Sequence, residues 1–325
     1  MSRLDDVLEL IQTTNEVYFI TAPGRVRTAY ILVDDIVELS LKIFLQEKTY
    51  EQRRNCQAVL ESASLVTSKN HRDSLKRYFE ERLTIEQLSH DLGRGSVGVP
   101  VLQGHFASFP LLQHWSANNP DAKNTFDKVI DDVRPFFPAP KNVSTHPAIN
   151  LLDEALLRHK TRNKFYHDQN LSGLDINDEK CLRALCGMFD LVEQLFPDFS
   201  NEVKNRHTVR CQIGVLRLKQ TASLGHQELS EPYDAALKLL KKGHKFDSKD
   251  RSVEHSLVHT VSDRFFMSLR EQFKNAVAKL QVRIDKIDGM PRPRQEHFDE
   301  KSDKQQLVQI LQRQLDQINT LLGTP

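Results

Sequence analysis

No stretch of the chain is apolar for long enough to cross a bilayer, and the opening run MSRLDDVLELIQ breaks its apolar pattern with acids, so neither a signal peptide nor an anchor is expected. Cysteine is scarce. Cys56, Cys181, Cys186 and Cys211 show neither the paired spacing of a structural zinc site nor a redox motif, and read as buried thiols of a cytoplasmic protein. Charge of one sign is missing too: 45 Lys and Arg against 44 Asp and Glu leave +1, so only local clusters can argue for nucleic acid. No internal repeat, low-complexity tract or strand-rich region is present, which leaves an all-α chain. What is there, 39% hydrophobic and 27% charged residues over 325 positions, suffices for a full core and allows two domains.

The apolar spacing predicts helices over 2–14, 28–46, 52–66 and 71–92, with a brief β-branched and aromatic run at 17–20. Residues 28–46 are apolar almost all round. Their only charges are Asp34, Asp35, Glu38 and Lys42, the last two placed for an i, i+4 pair in a central helix. Prolines and glycines thicken between 93 and 140, where an insertion with a short helix near 121–133 is expected to pack Trp115 and several phenylalanines on the core. The Gly-rich spacing at 93–98 has no βαβ setting and is not expected to bind a nucleotide.

Asn177 is a good N-cap for a helix over 177–196 that Pro197 ends. Further helices are expected over 202–220, 231–242, 252–287 and 302–322, the last opened by a capping box of Ser302 with Gln305 and separated from the rest by Pro291 and Pro293. Its stripe of Leu307, Ile310, Leu311, Leu315, Ile318 and Leu322 must bury itself on its own body or on a partner protein. The basic run from 238 to 251 reads as a solvated helix end, and His255 with His259 as surface residues without a metal.

The densest chemistry lies in 151–174. Leu151, Leu152, Ala155, Leu156, His159 and Asn163 follow a buried helix face that runs into Arg162-Asn163-Lys164-Phe165-Tyr166-His167. Arg158, Lys160, Arg162 and Lys164 bring four cations with no acid among them, which suits a phosphate ester, and His167 is the one group there that exchanges a proton near neutrality. Residues four apart on a helix differ by about 40°, so Asn163 and His167 share a face, whereas Arg162 and His167 differ by about 140°. Either the helix distorts near Tyr166, or a second protomer completes the site.

At these residues the chain resembles the HEPN superfamily, all-α proteins whose ribonuclease members carry Arg, often Asn next, and a His after four to six intervening residues. Arg162, Asn163 and His167 match, and the flanking helices supply the family's context; a second Arg-to-His spacing, Arg292 to His297, lies among prolines. The resemblance covers roughly residues 25–198, interrupted by 50–140, and does not reach the C-terminal third. It implies an endoribonuclease that needs no metal or cofactor: His167 takes the 2′-hydroxyl proton, Arg162 steadies the phosphorane, and a 2′,3′-cyclic phosphate and a 5′-hydroxyl result. On the residues' own chemistry, Asn163 positions ribose or imidazole, while Lys160 and Lys164 hold flanking phosphates. The resemblance further implies a homodimer facing two motifs across a cleft, and a toxin or antiviral defence setting. In one branch of the family a Tyr two residues after the His accepts a nucleotide; Gln169 stands there, which puts that control in doubt. The expected layout is a HEPN-like domain over 1–200, a helical region over 201–290, and a linker with an amphipathic helix over 291–325 that recruits a protein partner. The competing class is a non-catalytic helical adaptor that binds RNA and acts through a partner complex, with no membrane contact in either case.

Overall fold

The computed structural model describes residues 3–19, 22–93, 97–114, 125–141, 145–167, 176–224, 227, 229–235 and 262–322. Among them the chain is all-α, without a strand. The helices are α1 (Arg3–Phe19), α2 (Arg25–Ser62), α3 (Lys69–Phe79), α4 (Ile85–Gly93), α5 (Val99–Phe106), α6 (Leu111–His114) and α7 (Phe126–Val133), the last continued by a 3-10 turn, Arg134–Phe136. After them come α8 (Pro147–His167), α9 (Asp178–Leu195), α10 (Phe199–Asn205), α11 (His207–Ala222), α12 (Ser262–Asp288) and α13 (Gln295–Leu322).

Several boundaries differ from the sequence pattern, each for a local reason. Residues 28–46 and 52–62 belong to the single helix α2, because no Gly or Pro interrupts its 38 residues, and 63–66 form the turn that closes it. Residues 17–19 of the β-branched and aromatic run continue α1, where Tyr18 and Phe19 are buried, and Ile20 lies outside the described residues. The stretch 71–92 is two helices. Glu81 adopts φ 58°, closing α3, and Thr84 opens α4 with a capping box in which its N–H donates to Gln87 Oε1 (2.9 Å) and its Oγ1 accepts from the Gln87 N–H (3.3 Å). Ser302 lies inside α13. That helix starts seven residues earlier, after Pro293, where the Arg294 N–H donates to His297 Nδ1 (3.0 Å). His297 is thus a first-turn capping side chain, and Arg292 precedes the helix.

Helices α2 and α3 both end on a left-handed residue other than glycine, Ser64 and Glu81, each at φ 58°. The Leu65 N–H reaches back to the Leu60 carbonyl (2.9 Å) and the Arg82 N–H to that of Arg77 (2.8 Å), the closure that favours glycine at the left-handed position. Ser64→Gly and Glu81→Gly are each expected to raise stability by about 0.5 to 1 kcal/mol, read as an increase in the urea midpoint at unchanged slope.

The chain forms two compact units, residues 37–161 and residues 1–36 with 162–325. The division expected from sequence order, 1–200, 201–290 and 291–325, follows the chain, whereas these compact units are discontinuous and group 1–36 with 162–325. In the unit of 37–161, Cys56, Leu60, Leu75, Leu88, Leu102 and Phe106 head one core, on which Tyr78 stacks against Phe106 at 5.1 Å. Phe44 packs against Phe136 and Phe137, and Phe126 stacks on His159 at 4.2 Å. In the other unit α11 is central, packed by α1, α9 and α13, and α12 lies along α13. Fully buried Asn15 donates through Nδ2 to Gln212 Oε1 (3.3 Å) between α1 and α11, and Gln314 Nε2 donates to Thr221 Oγ1 (3.0 Å) between α13 and α11.

The C-terminal stripe is therefore not displayed. Leu307, Leu311, Leu315 and Ile318 are buried within the protein's own unit, which corrects the expectation of a separable docking helix.

Candidate functional site around Arg162

Helix α8 begins on Pro147, whose fixed φ suits the first helical position, and the His146 ring accepts the Ala148 N–H at 3.1 Å. It runs as one helix through His167, with no interruption of the helix near Tyr166. Positions 163 and 167 are thus one turn apart on the backbone, and ideal helix geometry separates positions 162 and 167 by about 140°. The side chains of Phe165, Tyr166 and His167, and all of Gln169, lie outside the described residues.

The buried face of α8 differs from the expected one. Ala148, Leu152 and Ala155 are buried, and the same face continues through Arg158, which is buried as well; Leu151, Leu156, His159 and Asn163 lie half-buried beside it. Of the four cations, only Lys160 and Lys164 are exposed. Leu157 stands 68% exposed on the outer face.

Arg162 keeps only 20% of its side chain exposed and is held by two acids of α2. Its Nη2 donates to Asp35 Oδ1 at 2.6 Å, and its Nη1 lies 3.5 Å from Asp34 Oδ2. The two carboxylates differ in surroundings. Asp34 sits with Val33, Ile36 and Val37 on the buried side of α2 at 0% exposure, whereas Asp35, one 100° step onward, is 46% exposed. The basic run does carry an acid-free sequence, yet the fold brings acids to it from 127 residues away. Glu38 instead pairs with Lys42 at 3.0 Å, as its spacing indicated. The signal for the clamp was two adjacent acids in an otherwise apolar helix.

A second charged cluster was not foreseen. Asp178, in the first turn of α9 after its N-cap Asn177, accepts from the Tyr18 hydroxyl (3.0 Å) and from Arg25 Nη2 (3.0 Å), with Lys219 Nζ at 3.3 Å. Arg25 and Lys219 also lie over the Tyr18 ring, 5.0 and 5.2 Å from its centroid. Burial alone pushes the Asp178 carboxyl up, but Lys219, the Tyr18 hydroxyl and Arg25 together outweigh it and hold the group below its ordinary value. The same site raises the Tyr18 phenol well above its ordinary value, through burial first and Asp178 second. A lowered carboxyl stabilises the fold above its unfolded pKa of about 4 and loses that contribution as pH falls through the folded value. A raised phenol stabilises below its unfolded pKa of about 10 and loses its contribution above it. Asp178→Asn is expected to flatten the acid limb of a plot of urea midpoint against pH; an unchanged acid limb would contradict the assignment.

All four cysteines are free and buried, and burial pushes the thiols of Cys56, Cys181 and Cys186 up to about 12, which makes them poor nucleophiles. Among the described residues no group of three or more His, Cys, Asp or Glu is placed to hold a metal ion, and no helix is long and apolar enough to cross a membrane. A cavity of about 550 Å³ is lined by Glu231, Asp234, Lys279, Arg283 and Lys304 among others, carries both signs of charge and includes none of the motif residues. Comparison with protein-family models, curated proteins and solved structures returned no match to the chain.

Proposed function

We propose that this chain is a HEPN-type endoribonuclease that cuts RNA by 2′-hydroxyl attack, without a metal ion. The observation that carries the reading is the placement of Arg162-Asn163 and His167 on the closing turns of one unbroken helix, with the Arg162 fork fixed in advance by Asp34 and Asp35. A guanidinium whose rotamer is already set offers two parallel donors to the non-bridging oxygens of a phosphate at little further entropic cost. In the reaction His167 accepts the 2′-hydroxyl proton, the 2′-oxygen attacks phosphorus, and the 5′-oxygen leaves and is protonated. The products are a 2′,3′-cyclic phosphate and a 5′-hydroxyl. Asn163 orients ribose or imidazole, and exposed Lys160 and Lys164 hold neighbouring phosphates.

The 140° divergence of Arg162 and His167 supports a symmetric homodimer, in which the Arg of one copy meets the His of the other. Exposed Leu157 on the same helix is an apolar contact of the kind such a pairing buries. A toxin or antiviral effector acting in the cytoplasm is the setting that the family resemblance favours.

Purified protein incubated with total RNA and transfer RNA in EDTA is expected to yield cyclic-phosphate ends, and His167→Ala to cut about 10²- to 10⁴-fold more slowly. Equal cleavage by wild type and His167→Ala would remove His167 from the mechanism. A second reading, a non-catalytic RNA-binding adaptor, is favoured by the same ion pair, since Asp34 and Asp35 give Arg162 a purely structural task as a tie between α2 and α8. Absence of cleavage in both proteins would select it.

A further inference from the structure

The two acids at Arg162 differ in what it costs to displace them. Asp34 is fully buried, and a buried carboxylate needs a permanent counter-charge. Asp35 is nearly half exposed, so water can replace its ion-pair partner at small cost. Yet it is Asp35 that makes the short contact, 2.6 Å to Nη2, against 3.5 Å between Nη1 and Asp34. An exposed carboxylate oxygen thus sits where Arg162 would receive a phosphate oxygen.

We infer that Asp35 is an exchangeable occupant of the phosphate subsite: it holds Arg162 in the free protein and gives way to an RNA phosphodiester, while Asp34 remains as the fixed anchor. The inference rests on the ribonuclease reading for the identity of the anion, but the exchange itself is a binding event. Asp34 keeps the guanidinium in place through the exchange, so Arg162 is never left without a counter-charge. Asp35, once displaced, has solvent to move into. The cost of displacing it enters the affinity for every RNA alike, because phosphate contacts carry no sequence information.

The test uses a fluorescent single-stranded RNA with 2′-O-methyl riboses, which binds but lacks the attacking hydroxyl, read by anisotropy at several salt concentrations with the full-length protein. Asp35→Asn is expected to tighten binding about 3- to 10-fold, the size of one like charge removed from a few Å away in water. Asp34→Asn is expected not to tighten it. In an Arg162→Lys background, which keeps a positive charge beside Asp34 but loses the fork, the gain from Asp35→Asn is expected to shrink to under about 2-fold. Unchanged affinity in Asp35→Asn overturns the inference. An equal gain in the Arg162→Lys background overturns it too, since that is the response to net charge alone. Cleavage of unmodified RNA is measured beside binding. Tighter binding by Asp35→Asn without cleavage by any variant leaves the exchange standing and removes the ribonuclease. Cleavage by wild type without tighter binding does the reverse.

Discussion

Truncation after Glu300 is expected to leave an insoluble or unfolded chain, not a nuclease that has merely lost a partner. The lost segment carries Leu307, Leu311, Leu315 and Ile318, all buried, and uncovers Phe266, Leu269 and Phe273, buried on α12. Burying one such aliphatic side chain stabilises by about 1.5 to 3 kcal/mol, an upper estimate because the unfolded chain already hides some of that surface. Four of them together rival the roughly 5 to 15 kcal/mol that separates a domain from its unfolded state. Gln314 would also be lost as a donor to Thr221. Circular dichroism melting and the soluble fraction after centrifugation give the result; a soluble truncation with the full-length melting temperature would mean that α13 contributes little to the unit.

Arg162→Ala is expected to lower stability by about 3 kcal/mol, because it removes a cationic partner of buried Asp34, and breaking one side of such a pair costs more than the pair contributes. Asp34→Asn in the same chain removes the buried charge and is expected to recover most of that loss, while Arg162→Lys loses less. The measurement is urea unfolding of the two single variants and the double, read as a cycle. A loss in Arg162→Ala within about 0.5 kcal/mol, the range of ordinary surface changes, would show that Asp34 does not depend on it. The expected loss also bears on activity assays: absent cleavage in Arg162→Ala confounds folding with chemistry, so Arg162→Lys and His167→Ala are the cleaner pair.

Local signals in the sequence were legible where one segment decides its own conformation. Asn177 caps α9 through the Lys180 N–H at 2.9 Å, and Glu38 pairs with Lys42, because both depend on neighbours three or four residues away. Equally local signals were misread where two candidates competed. Thr84 with Gln87 is a true capping box, whereas Ser302 with Gln305 has the same pattern in mid-helix, since the start after Pro293 had already been made. The surroundings of Arg162 left one trace, Asp34 and Asp35 side by side in an apolar stretch, and nothing local to connect it to α8. Helical periodicity assigns cations to the surface, yet Arg158 and Arg162 extend the face begun by Ala148, Leu152 and Ala155, and the latter does so because Asp34 and Asp35 reach it from another helix. The membership of residues 1–36 in the C-terminal unit is likewise a long-range result that no window of sequence contains.

That discontinuous unit imposes an order on biosynthesis. The unit of residues 37–161 is complete once α8 has largely emerged, so its folding can begin on the ribosome. Helix α1 leaves the ribosome first, but its partner α11 ends only at Ala222. At about 5 to 20 residues per second, α1 waits roughly 10 to 40 s for that partner. Through this interval Val7, Leu8, Ile11 and Tyr18, all buried in the finished protein, remain exposed to other nascent chains. A translational pause between residues 162 and 206 would hold the molecule with one folded unit and one adhesive N-terminus, which makes the rate of synthesis over that stretch a determinant of yield.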